Sequence, residues 1–61
     1  MYTVRFASQF EASLFEKTLQ ERQIQYQRNG PVTIEFPDTV SPRTVDWLED
    51  ISRIHAIGKR G

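Results

Sequence analysis

Residues 24–36 read I-Q-Y-Q-R-N-G-P-V-T-I-E-F, and this stretch decides the fold. On each side of the Asn29-Gly30 pair, apolar residues alternate with polar ones, which is the period of a half-buried strand. Two such runs around an Asn-Gly pair are typical of a β-hairpin. The sequence therefore predicts two antiparallel strands in the middle of the chain.

The length of the hairpin loop follows from which residues must share a face. A two-residue loop over 29–30 would place Tyr26 opposite Thr33, an apolar residue opposite a polar one. A three-residue loop over 28–30 instead pairs Tyr26 with Val32 and puts the glycine at the left-handed position of a type I turn with a bulge. We therefore expect the three-residue loop.

The segment before the hairpin predicts one strand and one helix. Residues 2–6, Y-T-V-R-F, alternate in the same way and predict the first strand. Ser8 is followed three residues later by Glu11, which is the pattern of a helix capping box. We expect a helix over residues 9–23, with an apolar side wide enough to pack on a sheet.

The segment after the hairpin predicts a second helix. Ser41 is an expected N-cap, and Pro42 suits the first helical position. Glu49 and Arg53 are spaced for a favourable ion pair on the solvated side of this helix. Gly58 is the expected residue just past its end.

The order strand, helix, strand, strand, helix predicts an α+β fold with two layers. A right-handed crossover puts both helices on one face of the sheet. Strand three can lie between strands one and two, or strands one and two can be neighbours; we favour the first. The result is a three-stranded mixed sheet of order 2-3-1, which resembles a ferredoxin-like fold without its last strand. Residues 1–58 form this single domain, strand one is an open edge, and residues 59–61 are a frayed tail.

The composition excludes several classes of protein. The chain has 61 residues, 8 basic and 8 acidic side chains, and no cysteine, so disulfide scaffolds and thiolate zinc sites are excluded. A hydrophobic content of 38% is too high for a disordered tail. No apolar run is long enough for a membrane span, and no signal peptide is evident, so we expect a cytoplasmic protein. The initial Met and the lack of a linker suggest a complete small gene product.

The small size of the chain also limits its stability. Scaling laws for this mass give a folded accessible surface of about 4,100 Å². Apolar burial then contributes roughly 95 kcal/mol, and conformational entropy opposes it with roughly 92 kcal/mol. The two terms nearly cancel, so we expect a marginally stable monomer that gains from association.

No constellation for catalysis is evident, so we expect a non-enzymatic protein without a metal or cofactor. The one histidine, His55, follows Ser52 by three residues, but neither an orienting acid nor an oxyanion donor accompanies them. The carboxylates of Asp46, Glu49 and Asp50 lie on the expected solvated side of the second helix, where nothing shifts their pKa values for acid–base chemistry.

The favoured hypothesis is a small regulator, adaptor or inhibitor that acts by binding a protein, including a second copy of itself. Proteins of this size include phage-encoded accessory proteins of this kind. The expected edge strand carries Thr3 and Arg5, and an exposed edge invites pairing with another chain. Phe10 and Trp47 are candidate anchors, although a Trp at the margin of an apolar stripe, as Trp47 is, most often packs against the edge of the sheet.

The alternative hypothesis is nucleic-acid binding. Its candidates are the basic residues of the hairpin loop and the C-terminal region: Arg28, Arg53, His55, Lys59 and Arg60. A zero net charge and an outer sheet face without aromatic residues both disfavour it.

Overall fold

The computed structural model describes all residues 1–61 as two helices and four strands. The elements follow the order β-α-β-β-α-β along the chain. Their bounds are β1 Tyr2–Arg5, α1 Gln9–Glu21, β2 Gln27–Arg28, β3 Thr33–Phe36, α2 Pro42–Ser52 and β4 Gly58–Arg60. Neither helix is long and apolar enough to cross a membrane.

The four strands form one sheet in the order β2-β3-β1-β4, and all neighbouring strands are antiparallel. Val4 on β1 lies opposite Ile34 on β3 and opposite Lys59 on β4. Arg28 on β2 also lies opposite Ile34. Paired residues share a face, so all four of these side chains lie on the same side of the sheet. With its two crossover helices, this connectivity is that of a ferredoxin-like fold.

The structure corrects four expectations about the sheet. The first three strands have the predicted order, but β4 pairs with β1 and turns the predicted edge strand into a central one. Residues 58–60 are therefore a strand, whereas residues 59–61 were expected to fray. The sheet is antiparallel rather than mixed, because β3 separates the two parallel strands β1 and β2. A homodimer cannot form by pairing at the β1 edge, since β4 of the same chain occupies it.

The chain can return to form β4 because α2 ends earlier than expected. The helix stops at Ser52, six residues before Gly58, and Arg53 takes a left-handed conformation with φ 61°. The Glu49 carboxylate accepts a hydrogen bond from the Ala56 N–H at 2.6 Å. This side chain holds the turn that leads from α2 into β4.

Serine caps begin both helices as expected, although the second bond of the capping box, from the Ser8 N–H to the Glu11 carboxylate, is not formed. Ser8 Oγ accepts a hydrogen bond from the Glu11 N–H at 3.2 Å, and Ser41 Oγ accepts one from the Thr44 N–H at 3.2 Å. Pro42 is the first residue of α2. Each serine thus pairs one of the N–H groups that a helix start leaves free.

The end of α1 is a Schellman motif that the sequence did not indicate. Gln23 takes a left-handed conformation with φ 57°. The Ile24 N–H donates to the Leu19 carbonyl at 2.9 Å, and the Gln23 N–H donates to the Gln20 carbonyl at 3.2 Å. These bonds end the helix at Glu21, two residues before the expected end at Gln23.

The hairpin has a different register from the predicted one. Arg28 pairs with Ile34, and the Asn29 N–H donates to the Thr33 carbonyl at 2.9 Å, so the loop comprises residues 30–32. The predicted loop at 28–30 is wrong. The Arg28 guanidinium explains the shift, since it donates to the carbonyls of Gly30 and Pro31 at 2.9 and 2.7 Å and holds the later loop together.

A single core lies between the sheet and the two helices. Phe6 on the sheet side and Phe15 on α1 pack with ring centroids 4.9 Å apart. The chain exposes 4108 Å², in line with the scaling law. The core residues are Val4, Phe6, Ala12, Phe15, Leu19, Ile34, Phe36, Val45 and Leu48.

Candidate functional site

The four residues predicted to bind a partner lie on opposite faces of the protein. Thr3 and Arg5 flank the buried Val4 on β1, so their side chains point away from the helices. Phe10 and Trp47 lie on α1 and α2 and are 71% and 46% exposed. The predicted site is therefore two separate surfaces, the outer face of the helices and the open face of the sheet.

Four exposed apolar side chains form the first surface, which we call the apolar helix patch: Phe10, Leu14, Trp47 and Ile51. On each helix the two members are four residues apart and share one side. Leu14 lies two residues before Glu16, and Ile51 lies two residues after Glu49. Two residues correspond to a rotation of about 200° around a helix, so each apolar side chain points nearly opposite to that glutamate. Glu16 faces β2 and Glu49 faces β4 at the two edges of the sheet. Leu14 and Ile51 therefore lie on the helix sides that face each other.

Trp47 contacts the end of α1, whereas packing against the edge of the sheet was one of the two expectations for it. The Arg22 guanidinium carbon lies 4.8 Å from the centroid of the Trp47 ring, within the range of a cation–π contact. Arg22 caps the end of α1, so this contact joins the two helices. It leaves nearly half of the indole accessible on the outer surface.

Charged side chains lie on the same outer sides of the helices as the patch. Lys17 and Glu21 belong to α1, and Arg43 and Asp50 belong to α2. All four are exposed, and none takes part in an ion pair within the chain. An exposed apolar patch with a charged surround is typical of an interaction surface.

Two members of the predicted phosphate-contacting set are instead paired within the chain. Arg28 Nη1 donates to Glu16 Oε1 at 2.6 Å, and the Tyr26 hydroxyl donates to the other Glu16 oxygen at 2.7 Å. Burial, and then the hydrogen bond to Glu16, raises the pKa of Tyr26. This cluster ties β2 to α1.

Lys59 forms the corresponding cluster at the opposite edge of the sheet. Its ammonium donates to Asp46 Oδ1 at 2.8 Å and also contacts Glu49 on α2. The hydrogen bond with Asp46, followed by that with Glu49, raises the pKa of Lys59, and the same ammonium lowers the pKa of Asp46. This cluster ties β4 to α2.

Glu49 is the structural residue that the sequence analysis missed. It is only 3% exposed, although its position predicted the solvated side of α2. It forms no side-chain pair with Arg53, whose N–H donates to the Glu49 backbone carbonyl instead. The burial of Glu49 could be predicted only by someone who knew that β4 forms, because the partner of Glu49, Lys59, belongs to β4.

The remaining basic candidates do not complete one surface. Arg53 and His55 are exposed at the end of α2 and in the segment that follows it. Arg60 lies opposite Thr3, on the open face of the sheet. Arg28 belongs to β2 at the far edge, so the five predicted side chains are spread over both edges and both faces.

Neither a Ser52–His55 pair nor a metal-binding cluster is formed. The Ser52 hydroxyl donates to the Glu49 carbonyl at 3.3 Å rather than to His55. No three histidine or carboxylate side chains lie close enough together to hold a metal ion.

Comparison of the chain with protein-family models, with curated proteins and with solved structures found no match.

Proposed function

We propose that this protein is a non-enzymatic protein-binding regulator or adaptor, and that its binding surface is the apolar helix patch. The observation that carries the proposal is the exposure of four large apolar side chains, between 39% and 71%, on one face of the helices. Contiguous apolar surface exposed to water is unfavourable, and covering it with a partner supplies free energy of association.

The patch has the composition of a binding centre. Trp47 is the type of residue most enriched among binding hot spots, and it lies beside Ile51 on the same side of α2. Both helices are held by the core beneath them, so little order must be gained when a partner binds. A partner with an apolar surface and charges at its rim would fit this face.

A second copy of the chain has that chemistry. In a two-fold arrangement, α1 of one copy lies against α2 of the other, so each contact occurs twice. The outer side of α1 carries Lys17 and Glu21, and that of α2 carries Arg43 and Asp50. Each helix thus offers one acidic and one basic side chain to the other, and the patch is buried between them.

Self-association also agrees with the small core. Nine buried apolar residues support a chain of 61, and apolar burial barely exceeds the loss of conformational entropy at this size. Burial of the patch in a dimer adds to the apolar burial and so increases the stability of the folded chain. A homodimer of this form leaves the open face of the sheet free.

Sedimentation equilibrium tests the proposal with three variants. We expect the wild-type chain to associate to twice 7.2 kDa as its concentration rises. Leu14→Ser and Trp47→Ser each raise the dissociation constant of the dimer at least about tenfold. Ile57→Ser is the matched control, because Ile57 is 61% exposed but precedes β4, outside the patch.

Two outcomes would contradict the proposal. One is a wild-type chain that stays monomeric and binds no protein through this face at any concentration. The other is an Ile57→Ser variant that weakens association as much as Leu14→Ser. Circular dichroism of each variant separates loss of binding from loss of fold.

The nucleic-acid alternative has less support. It requires the basic candidates to share one surface, whereas Arg28 and Lys59 are paired with carboxylates at opposite edges of the sheet. Neutralised cations attract phosphates weakly, and the chain has no net positive charge.

A further inference from the structure

The open face of the sheet carries two arginines that have no acidic partner in the chain. Arg5 lies opposite Gly58, and Arg60 lies opposite Thr3, so the two arginines are diagonal neighbours on β1 and β4. Diagonal positions of this kind are about 7–8 Å apart, within the reach of long side chains. Neither guanidinium takes part in an ion pair.

Both arginines line one shallow depression of about 350 Å³. Its other walls come from two threonines, one glycine and Lys59, and no apolar residue contributes. The ammonium of Lys59 is bound to Asp46 and Glu49 on α2, so it is not available to a ligand there. The depression thus presents two free cations and two hydroxyl groups.

Gly58 keeps this depression open. A Cβ atom at Gly58 would lie 3.7 Å from Nη2 and 3.8 Å from Nε of Arg5. The Arg5 guanidinium therefore lies over the backbone of β4, next to the space that a side chain at position 58 would occupy. A side chain longer than that of alanine at Gly58 would extend into this space and narrow the depression.

The charge pattern of the chain makes this pair distinctive. The other two basic residues of the sheet, Arg28 and Lys59, are neutralised by carboxylates on the helices. Arg5 and Arg60 repel each other across the depression, and an anion between them would relieve that repulsion. Guanidinium groups bind phosphate through paired, charge-assisted hydrogen bonds, which favours a phosphoryl group as that anion.

The surroundings also limit the kind of ligand. No aromatic side chain lines the depression, so a nucleobase has no surface to stack on. Glu35 lies opposite Thr3 on β3 and diagonal to Arg5, so it places a negative charge on the same open face, on the side of β1 away from Arg60. A long polyanion that runs across the sheet would meet this carboxylate, whereas a small phosphate between Arg5 and Arg60 would lie on the β4 side of Arg5.

We propose that the open face between β1 and β4 binds the phosphoryl group of a small phosphorylated molecule, through Arg5 and Arg60. The hydroxyls of Thr3 and Thr33 add hydrogen bonds at the edge of the site. This site lies on the side of the sheet opposite the apolar helix patch, so the two surfaces can be occupied together.

An NMR titration of the full chain with inorganic pyrophosphate, at low ionic strength, tests the site. We expect saturable shifts of the backbone amides of Thr3, Arg5, Gly58 and Arg60. Arg5→Gln and Arg60→Gln each weaken binding about tenfold, because each removes charge-assisted hydrogen bonds. Arg53→Gln is the control, since it removes an equal charge from an exposed arginine outside the depression.

Two further arms identify the ligand and separate this site from the helix patch. Ribose 5-phosphate should shift the same amides as pyrophosphate does. The affinity for single-stranded oligothymidine should not increase with the length of the oligothymidine. Leu14→Ser should bind pyrophosphate as the wild-type chain does, whatever its effect on association. The variants should fold, because neither Arg5 nor Arg60 makes a side-chain hydrogen bond in the structure.

Three results would overturn the proposal. The first is the absence of saturable shifts with pyrophosphate. The second is an Arg53→Gln variant that binds as weakly as Arg5→Gln, which would indicate attraction by overall charge alone. The third is binding that strengthens with oligothymidine length and is absent for both small phosphates, which would indicate a nucleic-acid surface.

Discussion

The ammonium of Lys59 on β4 contacts the carboxylate of Glu49 on α2, and Glu49 is only 3% exposed. The second oxygen of Glu49 accepts the Ala56 N–H at 2.6 Å. One buried side chain therefore holds both the turn after α2 and the strand to which that turn leads. Because β4 contributes no buried apolar residue, this polar link joins it to the helices.

Replacement of Glu49 should release β4. Glu49→Ala leaves the Ala56 N–H and the Lys59 ammonium without this partner, and we expect it to lower the free energy of unfolding by about 2 kcal/mol. Urea denaturation measures the loss. Asp50→Ala, next in the chain but exposed and unpaired within the monomer, is the control, and at a concentration where the chain is monomeric it should change stability by less than about 0.5 kcal/mol.

Hydrogen exchange locates the effect of the same variant. Amides of β4 and of the turn before it should lose protection in Glu49→Ala, while those of β3 keep most of theirs. Equal stability of Glu49→Ala and Asp50→Ala would show that the contact with Lys59 does not stabilise β4.

The Asp46–Lys59 pair predicts a dependence of stability on acid pH. The hydrogen bond from Lys59 lowers the pKa of Asp46, so the unfolded chain binds this proton more readily than the folded chain. The stabilisation is complete above the ordinary Asp pKa of about 3.9 and is lost as pH falls towards the lowered value. Asp46→Asn should therefore lose less thermal stability than the wild-type chain between about pH 5 and about pH 2.

Two comparisons check this assignment. The N-terminal ammonium lowers the pKa of Asp38 in the same direction, so some acid dependence should remain in Asp46→Asn. Asp50→Asn should follow the wild-type profile. If Asp46→Asn and wild type lose stability in parallel, the pair does not contribute.

The left-handed residue at the end of α1 offers a stabilising substitution. A residue with a side chain at φ 57° is strained by about 1–2 kcal/mol, whereas glycine is not. Glycine also increases the conformational entropy of the unfolded chain, which offsets part of the relieved strain. The net expectation is that Gln23→Gly raises the free energy of unfolding by about 0.5–1 kcal/mol. Gln20→Gly, within α1, should lower it by at least about 1 kcal/mol, because it places glycine in the helix and also removes the hydrogen bond from the Gln20 amide to the Tyr26 hydroxyl. Thermal unfolding distinguishes the two.

The test depends on the two substitutions changing the free energy of unfolding in opposite directions. If Gln23→Gly destabilises the chain as Gln20→Gly does, the Schellman motif at this helix end is not formed. Gln23 is exposed, so its replacement removes no packed side chain.

Most of the fold could be predicted because its signals are local. Ser8 and Ser41 cap the helices as their positions indicated, and the alternation around Val4 and Ile34 marked the strands of the core. The strand Gly58–Arg60 could not be predicted, because G-K-R has neither apolar alternation nor β-branched residues. It depends on backbone pairing with β1 and on distant carboxylates.

The candidate surfaces were only partly predictable for the same reason. Phe10 and Trp47 were named as candidate anchors, with packing against the sheet edge as the more common role for Trp47, and both side chains are exposed. Thr3 and Arg5 lie on the face of the sheet away from the helices, as the alternation predicted, but the strand edge for which they were proposed as partner-binding residues is covered by β4. The pairing of Arg28 with Glu16 spans twelve residues and crosses from a strand to a helix, so no sequence spacing indicates it.

The fluorescence of Trp47 as a function of protein concentration tests the proposed helix-face dimer most directly, because it is the only tryptophan in the chain. Its indole is 46% exposed in the monomer and would be covered in the dimer. The account predicts that the emission maximum moves to longer wavelength on dilution, and that Leu14→Ser shows the long-wavelength maximum at concentrations where wild type does not. An emission maximum that stays constant across the full concentration range, at the wavelength of a half-exposed indole, would contradict it.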